Sequence, residues 1–333
     1  MTFATRDRGT LDANVKFAPL DREAPQNKAV DAAVGKSRKL AARLPRLILE
    51  ARRVATTVIH GLHGRRRAGT GENFWQYRHF MNGEPSNNVD WRRSARDDHL
   101  YVREREWESS HTVWMWIDRS VSMDFSSSLT EWSKLDRALV VAFALAEVLV
   151  QGGERVGIPG LMRPTANRNI IETMARVILH DANEQPSLPP NFAPAPFSEI
   201  VLLSDLWSPV SEFQTILSQL ASNGARGHVV QIVDPAEETF PYSGRVEFTE
   251  PESRSNITAG RAEKWRDDYQ TIVANHREGL REAVRNSGWS FTIHRTDRGP
   301  TELLFAIHGR MGAGVHSVYG DRPAEPNVAG KSA

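Results

Sequence analysis

The sequence predicts an α/β protein built on a mostly parallel sheet with helices on both faces. From Thr112 onward, short apolar runs alternate with longer helical runs, and this alternation is typical of strand–helix–strand units. A helix lies between most pairs of predicted strands, which is the connection that parallel strands require. The chain has 333 residues, 40% of them hydrophobic, so it can bury the core of one large domain or two.

The first part of the chain predicts an arm followed by a basic helix. Residues 1–27 are polar and contain two prolines, so they predict an arm without regular structure. Apolar residues then recur at spacings of three and four between 29 and about 60, as in an amphipathic helix. Those residues are Leu40, Leu44, Leu47, Ile48, Val54 and Val58. Between 36 and 67 the chain is strongly basic, and Glu50 is the one acidic residue there.

Residues 28–111 as a whole predict a small pre-domain of helix and strand. Its alternating charged and apolar residues at 100–106 predict an exposed strand. Residues 112–310 predict the main domain. Its strands are expected at 113–117, 155–158, 200–203, 228–233 and 290–294, and its helices at about 135–150, 170–180, 211–223 and 262–286.

Two further segments of the chain depart from this alternation. A stretch near 236–256 predicts an inserted hairpin, with 242–249 as its centre. Residues 311–333 are rich in Gly, Pro and Ala and predict a tail without regular structure.

Composition limits the chemistry that the protein can perform. The absence of cysteine excludes disulfides, thiolate metal sites and Cys nucleophiles. The formal net charge of +1 does not indicate a binder of polyanions. The most apolar stretch, 138–150, is interrupted by Glu147 and is shorter than a membrane span, so we expect a buried helix. Residues 1–8 lack the apolar core of a secretory signal, and we therefore expect a cytoplasmic protein.

Oxygen-bearing side chains follow two of the predicted strands. Asp118, Ser120 and Ser122 come directly after the strand at 113–117, and Asp205 follows the strand at 200–203. Ligands bind at the carboxyl ends of strands in open α/β sheets. Carboxylate and hydroxyl oxygens are ligands that Mg²⁺ or Mn²⁺ prefers. The alternative is that Asp118 and Asp205 cap the following turns and the serines satisfy backbone donors.

The order of these motifs resembles a known family. The Asp-x-Ser-x-Ser strand end and the later Leu-Leu-Ser-Asp strand resemble a von Willebrand factor A-like domain, in which they form the metal-ion-dependent adhesion site. The preceding block is similar to domain-of-unknown-function family 58, over about residues 60–235. The residues that carry the similarity are His63-Gly64, Gly69, Gly71, Tyr77-Arg78-His79-Phe80, Gly83-Glu84, the run from Val89 to Arg96, Leu100 to Glu104, Ser133 to Ala138 and Glu154 to Gly157.

The resemblance implies a metal set and also shows departures. It implies that Asp118, Ser120, Ser122 and Asp205 bind Mg²⁺ together with a threonine from another loop. Thr165 is the best-placed candidate, and Thr173 is left open. The family's acidic pair after glycine and its basic residue before Asp-Trp are replaced here, because Pro85 follows Glu84 and Asn88 stands near Asp90.

The resemblance also implies a function without established catalysis. Members of the family are associated with MoxR-type AAA+ ATPases, so the leading hypothesis is a metal-dependent adaptor that binds a partner's acidic side chain. The alternatives are a metal-dependent hydrolase that uses Asp118 and Asp205, or a structural module whose metal site is empty. Within the pre-domain, Trp91 in its Arg-rich block is expected to be buried against the main domain, and the basic helix is a second candidate contact surface.

Overall fold

The chain folds into two compact units. The computed structural model describes residues 25–65, 74–81, 89–96, 99–105, 111–181, 186–249 and 255–319. The larger unit combines the chain up to Val58 with the chain from His111 onward, and the smaller unit is Ile59–Ser110. Most of the basic helix therefore belongs to the larger unit, and not to the pre-domain with which the sequence grouped it.

The first helix, α1 (Pro25–Arg65), confirms the predicted basic helix and begins within the predicted arm. Its apolar face is buried in the larger unit, through Leu44, Leu47, Ala51, Val54, Ala55 and Val58. Three of its arginines form ion pairs with acidic residues of the same unit, Arg43 with Asp136, Arg46 with Glu131 and Arg52 with Glu172. The basic surface of this helix is therefore partly neutralised by its own domain.

The smaller unit is held by a two-stranded antiparallel sheet. Strand β1 (Phe74–His79) pairs with β2 (Tyr101–Arg105), and one short helix, α2 (Trp91–Ser94), precedes β2. Val89 forms a bridge to Val102, and both side chains are buried. The departures noted at Glu84, Pro85 and Asn88 lie outside the described residues.

Trp91 is 61% exposed, so the prediction that its indole is buried is wrong. The short helix is fixed by polar bonds instead. The Asp90 side chain accepts a bond from the Arg93 amide at 3.0 Å, and the Ser94 hydroxyl accepts one from the Tyr101 amide at 2.9 Å. Because these bonds hold the turn, the indole is not needed as its anchor.

The larger unit contains a six-stranded sheet. In chain order the remaining strands are β3 (Thr112–Ile117), β4 (Arg155–Ile158), β5 (Met162–Thr165), β6 (Glu199–Ser204), β7 (Arg226–Val233), β8 (Val246–Thr249), β9 (Asn256–Ala259) and β10 (Ser290–Arg295). The sheet order is β10-β7-β6-β3-β4-β5, and every pairing is parallel except that of β5 with β4. The predicted mostly parallel sheet is thereby confirmed.

Helices cover both faces of this sheet. They are α3 (Lys134–Gln151), α4 (Ile170–His180), α5 (Val210–Ala221), α6 (Pro235–Thr239), α7 (Arg266–Asn286) and α8 (Thr301–Tyr319). From β3 the chain crosses to β4 on one side, and from β6 it crosses to β7 on the other. Parallel crossovers are right-handed, so the two connecting helices, α3 and α5, lie on opposite faces. Helices α5 and α7 pack with Trp116 and Ile200 in one buried cluster.

Two predicted segments differ in the structure. The hairpin is formed by β8 with β9, so the second strand lies beyond the predicted centre at 242–249. Helix α8 continues to Tyr319, so the first part of the predicted tail is helical, and residues 320–333 lie outside the described residues. Within the described ranges, no helix combines the length and apolarity that crossing a bilayer requires.

Candidate metal site

The candidate site lies at the switch point of the main sheet, where the chain adds its next strands toward opposite edges. Strands β3 and β6 are neighbours, and the chain leaves them toward opposite edges. Such a switch point leaves a crevice at the carboxyl ends of the two strands. Ile117 is in register with Leu203, and the Asp118 amide donates to the Leu203 carbonyl at 2.9 Å. The two strands therefore carry Asp118 and Asp205 to the same edge, as the sequence predicts.

Asp118 is fully buried and is held by two hydrogen bonds. Its Oδ1 accepts from the Ser120 amide at 2.8 Å, and its Oδ2 accepts from the Ser204 hydroxyl at 2.6 Å. Burial, and then the negative charge of Asp205, raises the pKa of Asp118 to about 6, although both hydrogen bonds act to lower it. A positive charge placed nearby would stabilise the ionised form of this carboxylate.

Ser120 and Ser122 place their hydroxyls side by side. Ser120 precedes a 3-10 helix, Val121–Asp124, and its Oγ lies 3.0 Å from the Ser122 Oγ. Neighbouring ligands of an octahedral Mg²⁺ ion, with bonds of about 2.1 Å, stand about 3.0 Å apart. The hydroxyl spacing therefore suits two adjacent ligand positions. Without an ion, the same spacing is a hydrogen bond between the two serines.

Asp205 is positioned by a constrained loop. The next residue, Leu206, has a left-handed φ of 56°, which is unfavourable for a branched side chain. Several bonds hold this conformation. The Leu206 amide donates to the Ser204 hydroxyl at 3.0 Å, His276 Nε2 donates to the Leu206 carbonyl at 2.7 Å, and Gln231 Nε2 donates to the Asp205 carbonyl at 3.0 Å. These bonds together fix the backbone that carries the Asp205 carboxylate.

Lys134 is a member of the site that the sequence did not predict. Its side chain is buried, and its ammonium lies 2.8 Å from Asp205 Oδ2 and 2.7 Å from Glu237 Oε1. Burial alone would lower the pKa of Lys134, but the charges of Asp205 and Glu237 outweigh burial and raise it. Burial raises the pKa of Glu237, and Lys134 opposes that effect. The ammonium therefore neutralises part of the negative charge at the sheet edge.

A further buried carboxylate, Asp234, holds neighbouring loops together. It follows β7 and caps α6, where its Oδ1 accepts from the Ala236 amide at 2.8 Å. Its Oδ2 accepts from the Ser127 amide at 2.8 Å, so it also holds the loop that follows Ser122. Glu237 completes a capping box by accepting from the Asp234 amide. Asp234 therefore has a structural role beside the site.

Thr165 does not lie with the other predicted ligands. Strand β5 runs antiparallel to β4, so Thr165 pairs with Val156, which is level with Val113. Val113 precedes Asp118 by five residues, so Thr165 stands at the amino edge, about 16 Å from Asp118 along the strand direction. The assignment of Thr165 to the site is therefore wrong. Thr173 lies in α4, where its hydroxyl donates to the Asn169 carbonyl.

Some of the oxygen atoms at the site are available to a hard cation, and others are already paired. Each Asp118 oxygen accepts one bond and retains a further lone pair. Asp118 and the two serine hydroxyls can therefore serve as ligands, whereas Asp205 Oδ2 is already paired with Lys134. The carboxylates of Asp118, Asp205 and Glu237 exceed the one ammonium by two negative charges when all are ionised. Among the described residues, no group of three or more His, Asp and Glu side chains forms a metal site by itself.

A separate polar chain lies toward the amino edge of the same sheet. The Ser290 hydroxyl is 2.7 Å from His228 Nδ1, and His228 Nε2 is 3.2 Å from Glu199 Oε2. All three residues lie within regular strands, with His228 and Glu199 buried. A catalytic serine is normally exposed on a sharp turn and served by oxyanion donors. These three side chains instead satisfy one another's hydrogen bonds inside the sheet.

The fold and the site define a class: an α/β protein with an oxygen-rich crevice at the switch point of its sheet. A match to a family model identifies the family of the chain. The chain belongs to the family described as "Protein of unknown function DUF58", whose model matches residues 76–279. This match confirms the family named from the sequence motifs.

Relatives and solved structures extend the comparison. The chain is 24% identical to the uncharacterized proteins Rv1480 of Mycobacterium tuberculosis (strain H37Rv) and Mb1516 of Mycobacterium bovis, over 78% of this chain and 86% of each relative. It is also similar to the conserved hypothetical protein BatB from Bacteroides thetaiotaomicron, at 13% identity and a TM-score of 0.39. An aerotolerance-related membrane protein from Bacteroides fragilis follows, at 17% identity and a TM-score of 0.38. The chain aligns over 61% of its length with all of each solved chain.

Proposed function

We propose that this protein is a non-catalytic adaptor of the von Willebrand A-like type. It binds an acidic side chain of a partner protein at the carboxyl edge of the sheet, through a Mg²⁺ or Mn²⁺ ion. The partner is a MoxR-type AAA+ ATPase, and the adaptor acts with it on a client protein in the cytoplasm. The observation that carries the proposal is the convergence of Asp118, Ser120, Ser122 and Asp205 at one switch point.

The chemistry of the site supports binding rather than turnover. Asp118 and the hydroxyls of Ser120 and Ser122 would hold the ion, which supplies a positive charge to which a carboxylate of the partner binds. Lys134 and Asp205 are bonded to each other, so neither is a free general base. The buried Asp118 and the bonded Leu206 loop fix the geometry before the partner arrives, which reduces the entropic cost of binding.

A structural module that needs no metal is the second candidate function. The observation that favours it is the Lys134 ammonium, which already supplies a cation to Asp205 and Glu237. In that case the polar network would hold the loops after β3, β6 and β7 together. Metal titration separates the two candidates, because the structural module does not require an ion.

The adaptor proposal is tested by co-purification with the host's MoxR-type ATPase, in buffer with Mg²⁺ and in buffer with EDTA. We expect a complex in Mg²⁺ that EDTA dissociates. Asp118→Asn removes a ligand charge while keeping the side-chain shape, so this variant should form no complex even in Mg²⁺. Asp124→Ala is the matched control, because Asp124 is a partly exposed acid in the same loop and its loss should leave the complex intact. A complex that survives EDTA and Asp118→Asn would contradict the metal-dependent mechanism.

A further inference from the structure

The ammonium of Lys134 lies 2.8 Å from Asp205, one of the carboxylates of the candidate metal site. Lys134 is 1% exposed, and it is the largest fully buried side chain among the described residues. Its Nζ contacts two carboxylates, on Asp205 and Glu237, and lies 5.7 Å from the centre of the Phe125 ring. A buried ammonium is tolerated only when it is paired in this way. The site therefore contains a covalently attached cation.

The helix start that carries Lys134 is itself fixed. The Ser133 hydroxyl caps α3 by accepting from the Asp136 amide, and the Lys134 amide donates to the Phe125 carbonyl at 3.1 Å. The ammonium is thus held near Asp205 at a high effective concentration, unlike an ion from solution. Two carboxylate oxygens lie within 2.8 Å of the ammonium, which acts as a fixed positive charge at the site.

Two consequences follow for a divalent ion. An ion at Asp118, Ser120 and Ser122 either competes with the ammonium for Asp205 or is repelled by it from close range. In either arrangement, Lys134 weakens the binding of the ion. At the same time Lys134 keeps the buried Asp205 and the partly buried Glu237 from facing each other without a counter-charge.

We propose that Lys134 is the resident cation of this site. It keeps the site assembled without metal and lowers the affinity of Asp118, Ser120 and Ser122 for a divalent ion. The ligand set in this inference rests on the proposed function. Under that function, stable metal binding needs the additional carboxylate of the partner, so that metal and partner bind cooperatively.

The test is titration of the full chain with Mg²⁺ and with Mn²⁺ by calorimetry, together with thermal melting in Mg²⁺ and in EDTA. Lys134→Met keeps a long apolar stem and removes the charge. We expect its dissociation constant for Mg²⁺ to be at least about tenfold lower than that of the wild type. We also expect its melting temperature to fall in EDTA and to recover in millimolar Mg²⁺, whereas the wild type changes little between the two buffers.

Arg137→Met is the matched control. Arg137 is another buried cation of α3, but it donates to the Thr296 carbonyl and lies over the Trp132 ring. Its loss should lower the melting temperature in both buffers and leave the Mg²⁺ affinity within about twofold of the wild type. If Lys134→Met does not fold in either buffer, Lys134→Gln decides the question, because it retains a donor to the carboxylates without the charge.

The outcomes separate this inference from the proposed function. Unchanged or weaker Mg²⁺ binding by the Lys134 variant overturns the inference and leaves the adaptor proposal standing. Tight binding by the variant, with a wild type that binds neither the ion nor the ATPase, supports the resident cation and overturns the metal-dependent adaptor. Absence of ion binding by both isolated proteins overturns the inference, and co-purification with the ATPase in Mg²⁺ and in EDTA then decides the adaptor proposal.

Discussion

His294 is a buried imidazole whose protonation opposes folding. It is 5% exposed, and among the described residues its Nε2 has no hydrogen-bond partner. Burial, and then the charge of Arg137, lowers the pKa of His294 from 6.5 to about 4, while Asp297 acts weakly in the other direction. The unfolded chain therefore binds a proton more tightly than the folded protein between these two pH values.

The contribution of His294 to stability is fully present above about pH 6.5 and is lost as the pH falls toward 4. The loss amounts to roughly 3 kcal/mol, at about 1.4 kcal/mol per pKa unit. Asp118, with its pKa raised to about 6, changes stability in the opposite direction over part of this range. The contribution of His294 is therefore measured as the difference between the wild type and His294→Gln. Urea unfolding at several pH values should show a flatter decline for His294→Gln than for the wild type. Parallel curves for the two proteins would contradict the assignment.

Gly227 is required by the close approach of an indole. A Cβ atom at this position would lie 1.9 Å from Cε3 of Trp289, whose Nε1 donates to the Ala225 carbonyl. Gly227→Ala should therefore displace the buried ring and lower the free energy of unfolding by about 3 kcal/mol or more. Gly299→Ala is the control, because a Cβ there meets no atom within 4 Å. Equal unfolding free energies for the two variants would show that the indole has room to move.

Helix α1 stabilises the larger unit mainly through its apolar face. Leu47 is 1% exposed and Leu49 is 71% exposed, so one helix offers the same residue type in both environments. Leu47→Ala should lower the free energy of unfolding by about 2–5 kcal/mol, and Leu49→Ala should change it by less than about 0.5 kcal/mol. Chemical unfolding of both variants measures the difference. A small loss for Leu47→Ala would mean that α1 detaches from the domain in solution.

Regular elements of the larger unit could be predicted because their apolar periods are local properties of the sequence. The helix expected at 135–150 is found at Lys134–Gln151, and the strand expected at 155–158 is found at those residues. Strand β5 was not predicted. It has four residues, one of them proline, and forms an edge by turning back on β4. That reversal is also the reason why Thr165 was assigned to the wrong edge.

The candidate site could be predicted only for the residues that directly follow strands. Asp118 and Asp205 are such residues, and the switch-point rule brings them together. Lys134 is 71 residues from Asp205 and 103 from Glu237, so no local pattern relates the three. The available signals were a lysine at the start of an apolar helix and its place in the family block from Ser133 to Ala138. A lysine at that place is ordinarily solvated.

At the scale of the whole molecule, the chain builds one unit from two separated segments. Helix α1 belongs to the larger unit as far as Val58, the chain then forms the smaller unit, and it returns to the larger unit at His111. Each unit has its own hydrogen-bonded sheet and its own buried residues. The stability of the larger unit should therefore depend on α1 more than on the segment between α1 and β3.

Two altered chains test this dependence. In the first, residues 66–110 are replaced by a flexible Gly–Ser linker of equal length, which preserves the reach between α1 and β3 at small entropic cost. We expect its unfolding temperature to stay within about 5 °C of the full chain, because the buried leucines and valines of α1 keep their contacts. The second chain begins at His111 and should lose several kcal/mol of stability, since six buried apolar residues of α1 are absent. Calorimetry gives the unfolding temperature of the full chain, the linker protein and the shortened chain. If the linker protein is no more stable than the shortened chain, the segment at 66–110, and not α1, stabilises the α/β domain.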